Sequence, residues 1–237
     1  MLTRNVIKKA LIKSIPVMAG YMVVGIGFGI LLEQNGYSVV WALAMSTFIY
    51  AGSMQFVGAS LMASGSSLIT VMITTLIVNA RHLFYGISML GNYKTAGKYK
   101  PYLVLALTDE TYSLLCDGDY PKGEDPNLYR LLVSLFDHIY WIIGSVLGSL
   151  ASSALDFNFM GIEFAMTALF VTTYVSQWMS TKNHLPSILG LLFSLLCRLF
   201  FGSSNFLIPS MLCITLALTF MQKQCIRTGM EVEQNAK

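Results

Sequence analysis

Charge is scarce in this sequence. Asp, Glu, Lys and Arg make up 11% of its 237 residues, whereas a soluble domain carries about 25%. A chain so poor in charge cannot cover a globular surface with polar groups, which excludes an ordinary water-soluble domain. Cysteine is rare as well. Cys116, Cys197, Cys213 and Cys225 show no metal-binding or redox spacing and lie in or beside apolar runs, so they read as packing residues. There is no G-x-x-x-x-G-K-[ST] phosphate loop, no H-E-x-x-H zinc helix and no serine-nucleophile elbow. Basic residues are not interleaved with aromatics, so nucleic acid is not an expected partner, and no cofactor or metal is expected.

What the chain has in abundance is apolar sequence, 55% of its residues. Runs of about 20 such residues cross a bilayer as helices, because backbone groups in lipid must be satisfied within the segment. Apolar segments fall at 15–32, 38–63, 67–91, 102–116, 131–153, 160–179, 185–201 and 205–221. The expected fold class is all-α: a polytopic transmembrane helical bundle of seven to eight hydrophobic segments, forming one integral membrane domain over 1–237. The first segment follows a basic stretch, as a signal peptide would. It is too long for a signal core and lacks a small-residue cleavage site before "EQNG", so it is expected to stay as a span.

Lys8, Lys9 and Lys13 predict a cytoplasmic N-terminus, and Lys223 with Arg227 a cytoplasmic C-terminus, in a cytoplasmic (inner) cell membrane. Simple crossings then conflict with the middle of the chain. They put Lys94, Lys98 and Lys100 outside and the acidic loop "DGDYPKGEDPN" inside, each opposite to its charge. A discontinuous or re-entrant element within 38–63 or 67–91 removes the conflict at the lysine loop.

An internal echo accompanies this pattern. "GIGFG" at 25–29 resembles "GSVLG" at 144–148, and "RHLFYG" at 81–86 resembles "CRLFFG" at 197–202. Their common order predicts two three-segment repeats, 15–91 and 131–204, with 102–116 as linker and 205–221 as a last span. The small-xxx-small spacings allow close helix contact, with a partner subunit or within the chain.

Ionisable residues inside lipid cost a few kcal/mol and face a cavity or an opposite charge. Arg81 and His82 lie within "TTLIVNARHLFYGISM", with Asn79 on nearly the same helical face. They read as a cavity wall, or as an interfacial anchor if the span stops near Val78. Asp109 and Glu110 sit in the middle of 102–116, as proton relays or ammonium ligands if that segment spans. Asp137 and His138 lie near the start of their span, where interfacial and buried roles are both open. Glu163 and Arg198 read as mutual neutralisers. Ser46, Tyr50 and Ser53 recur at helical spacing, with Gly52 and Gln55 beside them. That pattern fits either interhelical hydrogen bonding or a locally broken helix next to a substrate.

The motifs "YAGSMQF" (50–56), "NARHLFYG" (79–86), "LTDET" (107–111) and "DFNFMGIEFAMTALF" (156–170) resemble the AzlC family of branched-chain amino acid exporters, in order along most of the chain. The resemblance implies a multi-pass subunit working with a small hydrophobic AzlD-type membrane partner. It implies export of valine, leucine, isoleucine and related apolar amino acids such as methionine. On chemical grounds Arg81, Asn79, Tyr50, Ser53, Gln55 and Gly52 are the expected substrate-binding residues, and His82, Asp109 and Glu110 the expected proton-coupling ones. An arginine fork suits a carboxylate, and broken helices offer partial charges of both signs. Without a nucleotide loop, export must draw on an ion or substrate gradient, unless another chain supplies ATP hydrolysis. The competing classes are an intramembrane enzyme, for which no motif is present, and a channel or structural subunit. A carrier, not an enzyme, is the expected class.

Overall fold

The computed structural model describes residues 4–116, 118, 120–121, 123–154, 171, 174–175, 178–179 and 184–221. Glu163, the 156–170 motif, most of the 160–179 segment and the C-terminal Lys223 and Arg227 lie outside the described residues. Among the described residues every regular element is helical.

Residues 1–167 form one compact unit. Its frame is two long helices, α1 (Arg4–Gln34) and α8 (Pro126–Ala154). Between them come α2 (Val39–Phe48), α3 (Gly52–Ala63), α4 (Leu68–Asn79), α5 (Arg81–Tyr93), α6 (Lys100–Leu105) and α7 (Asp109–Leu115). The helix α1 stops where Gly36 adopts φ +83 and the Asn35 side-chain amide donates to Leu31 O at 2.9 Å.

Helices α1 and α8 run parallel, in register. Ser14 meets Tyr140, Tyr21 meets Trp141, and Gly25 and Gly29 meet Ser145 and Ser149 in ascending order. The contact is backbone on backbone. A Cβ on Gly29 would lie 2.0 Å from Ser145 O, and one on Gly148 would lie 2.1 Å from Ile26 O. The two glycine motifs that echo each other in sequence therefore pack against each other within the chain, and that seam is not available to a partner. Ser149 closes it, donating to Glu33 Oε2 at 2.8 Å.

The helices α2 and α3 fold back on one another. Met45 lies against Gly58 and the Gln55 amide donates to Ser46 Oγ at 3.4 Å. In one continuous helix, residues nine apart would be separated by about 13 Å. The turn between them holds Tyr50 at φ +42, a left-handed conformation uncommon outside glycine. In the first turns of α3, Gln55 meets Trp141 and Phe56 meets Phe28. The helices α4 and α5 form one path bent by 47° at Ala80. It ends where Met89, Tyr93 and Ala96 join Val6, Ala10, Tyr129 and Val133 in a buried cluster.

That cluster settles where the lysine loop lies: at the same end of the unit as the N-terminus. The backbone there is fixed by Asn127, which donates to Thr95 O at 2.9 Å, and Arg130, which donates to Asn92 O at 2.9 Å. The acidic loop lies at this end too, with Asn5 donating to Glu124 at 3.4 Å. This corrects the expectation from its charge. The 102–116 segment does not cross, because it breaks at residues 106–108 and Thr108 caps a new helix that turns back, its Oγ1 accepting from Thr111 N at 3.3 Å.

A second compact unit begins at residue 168 and contains α9 (Leu185–Asn205) and α10 (Leu207–Phe220), which pack on each other. Gly202 interrupts α9 with φ 75, ψ 175. Among the described residues three helices are long and apolar enough to cross a membrane: α1, α8 and Leu185–Gly202 of α9. The α4–α5 pair makes a fourth if counted as one bent span. Leu68, Ile69, Leu76 and Leu83 on its outer side are largely exposed, as a lipid-facing surface requires.

Candidate functional site

Three helix N-termini meet in the middle of the first unit. Arg81, the first residue of α5, forms an ion pair with Asp109, the first residue of α7, and donates to Ser53 Oγ in the first turn of α3. The positive ends of the helix dipoles point here, and Asp109 offsets both them and the guanidinium. Both side chains of the pair are 19% exposed. Arg81 is therefore turned inward, onto an acid, rather than out of the unit. Of its two anticipated partners, an acid or a substrate carboxylate, the acid occupies it here.

The expected substrate-binding residues are divided among three places. Arg81 and Ser53 share the ion-pair cluster. Tyr50, Gly52 and Gln55 belong to a buried polar knot against α8. There the Trp141 indole donates to Gln55 Oε1 at 2.9 Å, and the Gln55 amide donates to Ser46 Oγ. Gly52 is where the α3 backbone passes the Trp141 ring, since a Cβ would lie 3.2 Å from Cη2. The Tyr50 ring stacks on His138 with centroids 4.1 Å apart. His138 Nε2 donates to Ser46 O at 3.0 Å, because a carbonyl can only accept, and Nδ1 lies 3.0 Å from Tyr102 Oη. Both ring nitrogens are thereby engaged, which fixes the ring's orientation.

Asn79 and His82 line a third place, a pocket of about 200 Å³ that opens on the outer side of the α4–α5 path, lined also by Leu83, Leu90, Val104, Leu107 and Lys100. Asn79 Oδ1 is buried there without a hydrogen-bond partner among the described residues. His82 Nδ1 lies 3.2 Å from Asn79 O. An apolar chamber with an unused amide oxygen and an ammonium at its edge has the chemistry to hold a small zwitterion with an apolar side chain.

Glu110, next in α7, accepts from Tyr21 Oη at 2.8 Å. Tyr21 also meets Thr108, which leads through Thr111 to Asp137. Asp137 and His138 are both buried, which decides the question left open by their place near the start of a span. Tyr21, Tyr102, Thr108, Thr111 and Trp141 were not singled out by the sequence. The readable signal was the inward stripe of α8, where Ser134, Asp137, His138, Trp141 and Ser145 recur at helical spacing on a buried face. Among the described residues no group of three His, Cys, Asp or Glu side chains is arranged to hold a metal ion.

Comparison with known proteins agrees with the motifs. The sequence model of the family described as "AzlC protein" matches residues 16–155. A Bacillus subtilis protein named "Branched-chain amino acid transport protein AzlC" is 39% identical over 89% of this chain and 83% of its own length. A Helicobacter pylori protein described as an uncharacterized membrane protein is 41% identical over 92% of this chain and 95% of its own. The Escherichia coli "Inner membrane protein YgaZ" is 27% identical over 72% of each. No solved structure matches. The family match and the Bacillus relative, each covering most of the first unit with its ion pair and hairpins, make this chain a member of the AzlC family.

Proposed function

We propose that the chain is the large transmembrane subunit of a two-component exporter of branched-chain and related apolar amino acids: valine, leucine, isoleucine and methionine. It resides in the cytoplasmic membrane with its N-terminus inside, works with a small hydrophobic AzlD-type subunit, and is driven by an ion gradient. The observation that carries this reading is the Bacillus relative named as a branched-chain amino acid transport protein, aligned over most of both chains. The chamber beside Asn79 and His82 supports it, being apolar where the substrate side chain must lie.

In this reading Arg81, Asn79, Tyr50, Ser53, Gln55 and Gly52 form or shape the substrate site, and His82, Asp109 and Glu110 couple transport to protons. Asp109 holds the guanidinium until a substrate carboxylate competes for the same fork. The whole chain acts as one transporter domain of seven to eight segments, built from repeats over 15–91 and 131–204. The test is uptake of labelled valine into inverted vesicles containing this chain with and without its small partner. Valine accumulation that needs both subunits and an imposed ion gradient is expected. No transport of any branched-chain amino acid by the pair would sink the proposal.

A further inference from the structure

Partly buried Glu110 in α7 and fully buried Asp137 in α8 are joined by three hydroxyls in series. Glu110 Oε2 lies 2.8 Å from Tyr21 Oη, which lies 2.6 Å from Thr108 Oγ1. Thr108 Oγ1 lies 3.1 Å from Thr111 Oγ1, which lies 2.8 Å from Asp137 Oδ2. These four oxygen–oxygen links are within or just beyond the usual O–H···O range.

Each link needs one hydrogen, and each hydroxyl owns one. Three hydroxyls cannot fill four links. With both carboxyls ionised, two oxygens face each other with no hydrogen between them. With both protonated, there is one hydrogen too many. A single carboxyl proton fills the chain, and it does so from either end.

We propose that Glu110, Tyr21, Thr108, Thr111 and Asp137 form a wire that carries one mobile proton, taken up at Glu110 and stored at Asp137. Transfer is a concerted shift. The Glu110 proton moves to Tyr21 Oη as the Tyr21 proton moves to Thr108, that of Thr108 to Thr111, and that of Thr111 to Asp137. One proton travels the length of the wire and no hydroxyl is left charged. Asp137 Oδ1 is buried without a hydrogen-bond partner among the described residues, an arrangement that suits a neutral carboxyl far better than a carboxylate. The loaded proton therefore rests at Asp137, and Tyr21 then donates to ionised Glu110.

The surrounding charged and titratable groups leave this count intact. Asp109 and Arg81 stand beside Glu110 and offset each other. Tyr50 stands near Tyr21 and Asp137, Tyr102 near Asp137, and His138 follows it in α8 with both ring nitrogens engaged. The inference that this proton is the coupling ion rests on the exporter reading; the wire itself does not.

The wire is tested by infrared difference spectroscopy of the purified protein in light and heavy water, which reads the protonated-carboxyl C=O band without any substrate. One band is expected. Glu110→Gln and Asp137→Asn should each abolish it, because either new amide supplies the missing hydrogen and leaves the other carboxyl ionised. If one variant abolishes the band and the other leaves it whole, the proton belongs to a single residue and the wire is wrong. Thr111→Val keeps the shape but removes two of the four links, leaving Asp137 Oδ2 without its partner, so the band should persist at higher frequency, while Thr111→Ser should match the parent. An unshifted band in Thr111→Val overturns the proposal even where the amide variants fail to fold. Coupling is read separately, as valine-linked proton movement in vesicles. Its loss in Thr111→Val and retention in Thr111→Ser is expected. Spectra as expected with no valine-linked proton movement in the parent would overturn the coupling role and leave the wire standing.

Discussion

Gln55 and Ser46 are joined by a hydrogen bond of 3.4 Å across the turn at Tyr50, although their backbones belong to two different helices. Gln55 also receives the Trp141 indole, so one amide ties the α2–α3 hairpin to α8. Gln55→Leu should cost about 1–3 kcal/mol, the penalty of leaving a buried indole N–H unpaired. Thermal unfolding in detergent will measure it, and adding Trp141→Phe should recover much of the loss. A single variant as stable as the parent would show that the tie is not needed.

The folded-back hairpin makes a prediction about sides. Cysteines introduced at Ser66 and at Lys98 should react with an impermeant maleimide from opposite faces of the membrane, while Lys98 and Glu124 should react from the same face. The basis is the bond of Asn127 to Thr95 and of Asn5 to Glu124, which gathers both loops at the N-terminal end. Labelling of Ser66 and Lys98 from one side would contradict the bent α4–α5 crossing.

Arg81 and Asp109 should behave as a pair. Removing one partner of a largely buried ion pair costs about 3–5 kcal/mol, and the partial exposure here points to the low end. Arg81→Ala is expected to abolish export, and Arg81→Lys to retain part of it, since lysine keeps the charge but loses the fork that reaches both Asp109 and Ser53. In Arg81→Ala/Asp109→Ala, folding should recover, with a coupling energy of about 1–3 kcal/mol in a double-mutant cycle. Additive effects would mean that the pair contributes nothing jointly.

The glycine seam should tolerate no methyl. Gly29→Ala and Gly148→Ala each force backbone apart and should lose about 1–3 kcal/mol or more. Gly91→Ala in α5 meets nothing within 4 Å and should be neutral or stabilising by about 0.5–1 kcal/mol. Melting temperatures of the three variants in one detergent decide the matter.

Much of this was legible because lipid makes polarity conspicuous. Arg81, Asp109, Glu110 and Gln55 stand out against apolar neighbours, and three helix breaks, at 49–51, 80 and 106–108, fall within a few residues of them. Charge balance around Lys94 required an element that does not cross, and the α2–α3 hairpin is such an element. The hidden part was long-range. Nothing local in "GIGFG" and "GSVLG" says that the two motifs touch each other rather than other helices. The helical spacing of Ser46, Tyr50 and Ser53 predicted one shared face, and the turn at Tyr50 sends Ser46 toward His138 and Ser53 toward Arg81. Tyr21 and Thr108 carry no charge, so only their placement between two carboxyls marks them.

The parallel seam of α1 and α8 also governs the order of assembly. Gly29 enters the bilayer while its partner Gly148 is about 120 residues from being made, which at about 5–20 residues per second is a delay of roughly 6–24 s. Throughout that interval the narrow face of α1 lacks its partner in the chain, and the intervening hairpins lack the α8 wall they pack on in the folded unit. Closure of the first unit therefore waits on translation: its frame can form only after the elements it encloses have been made.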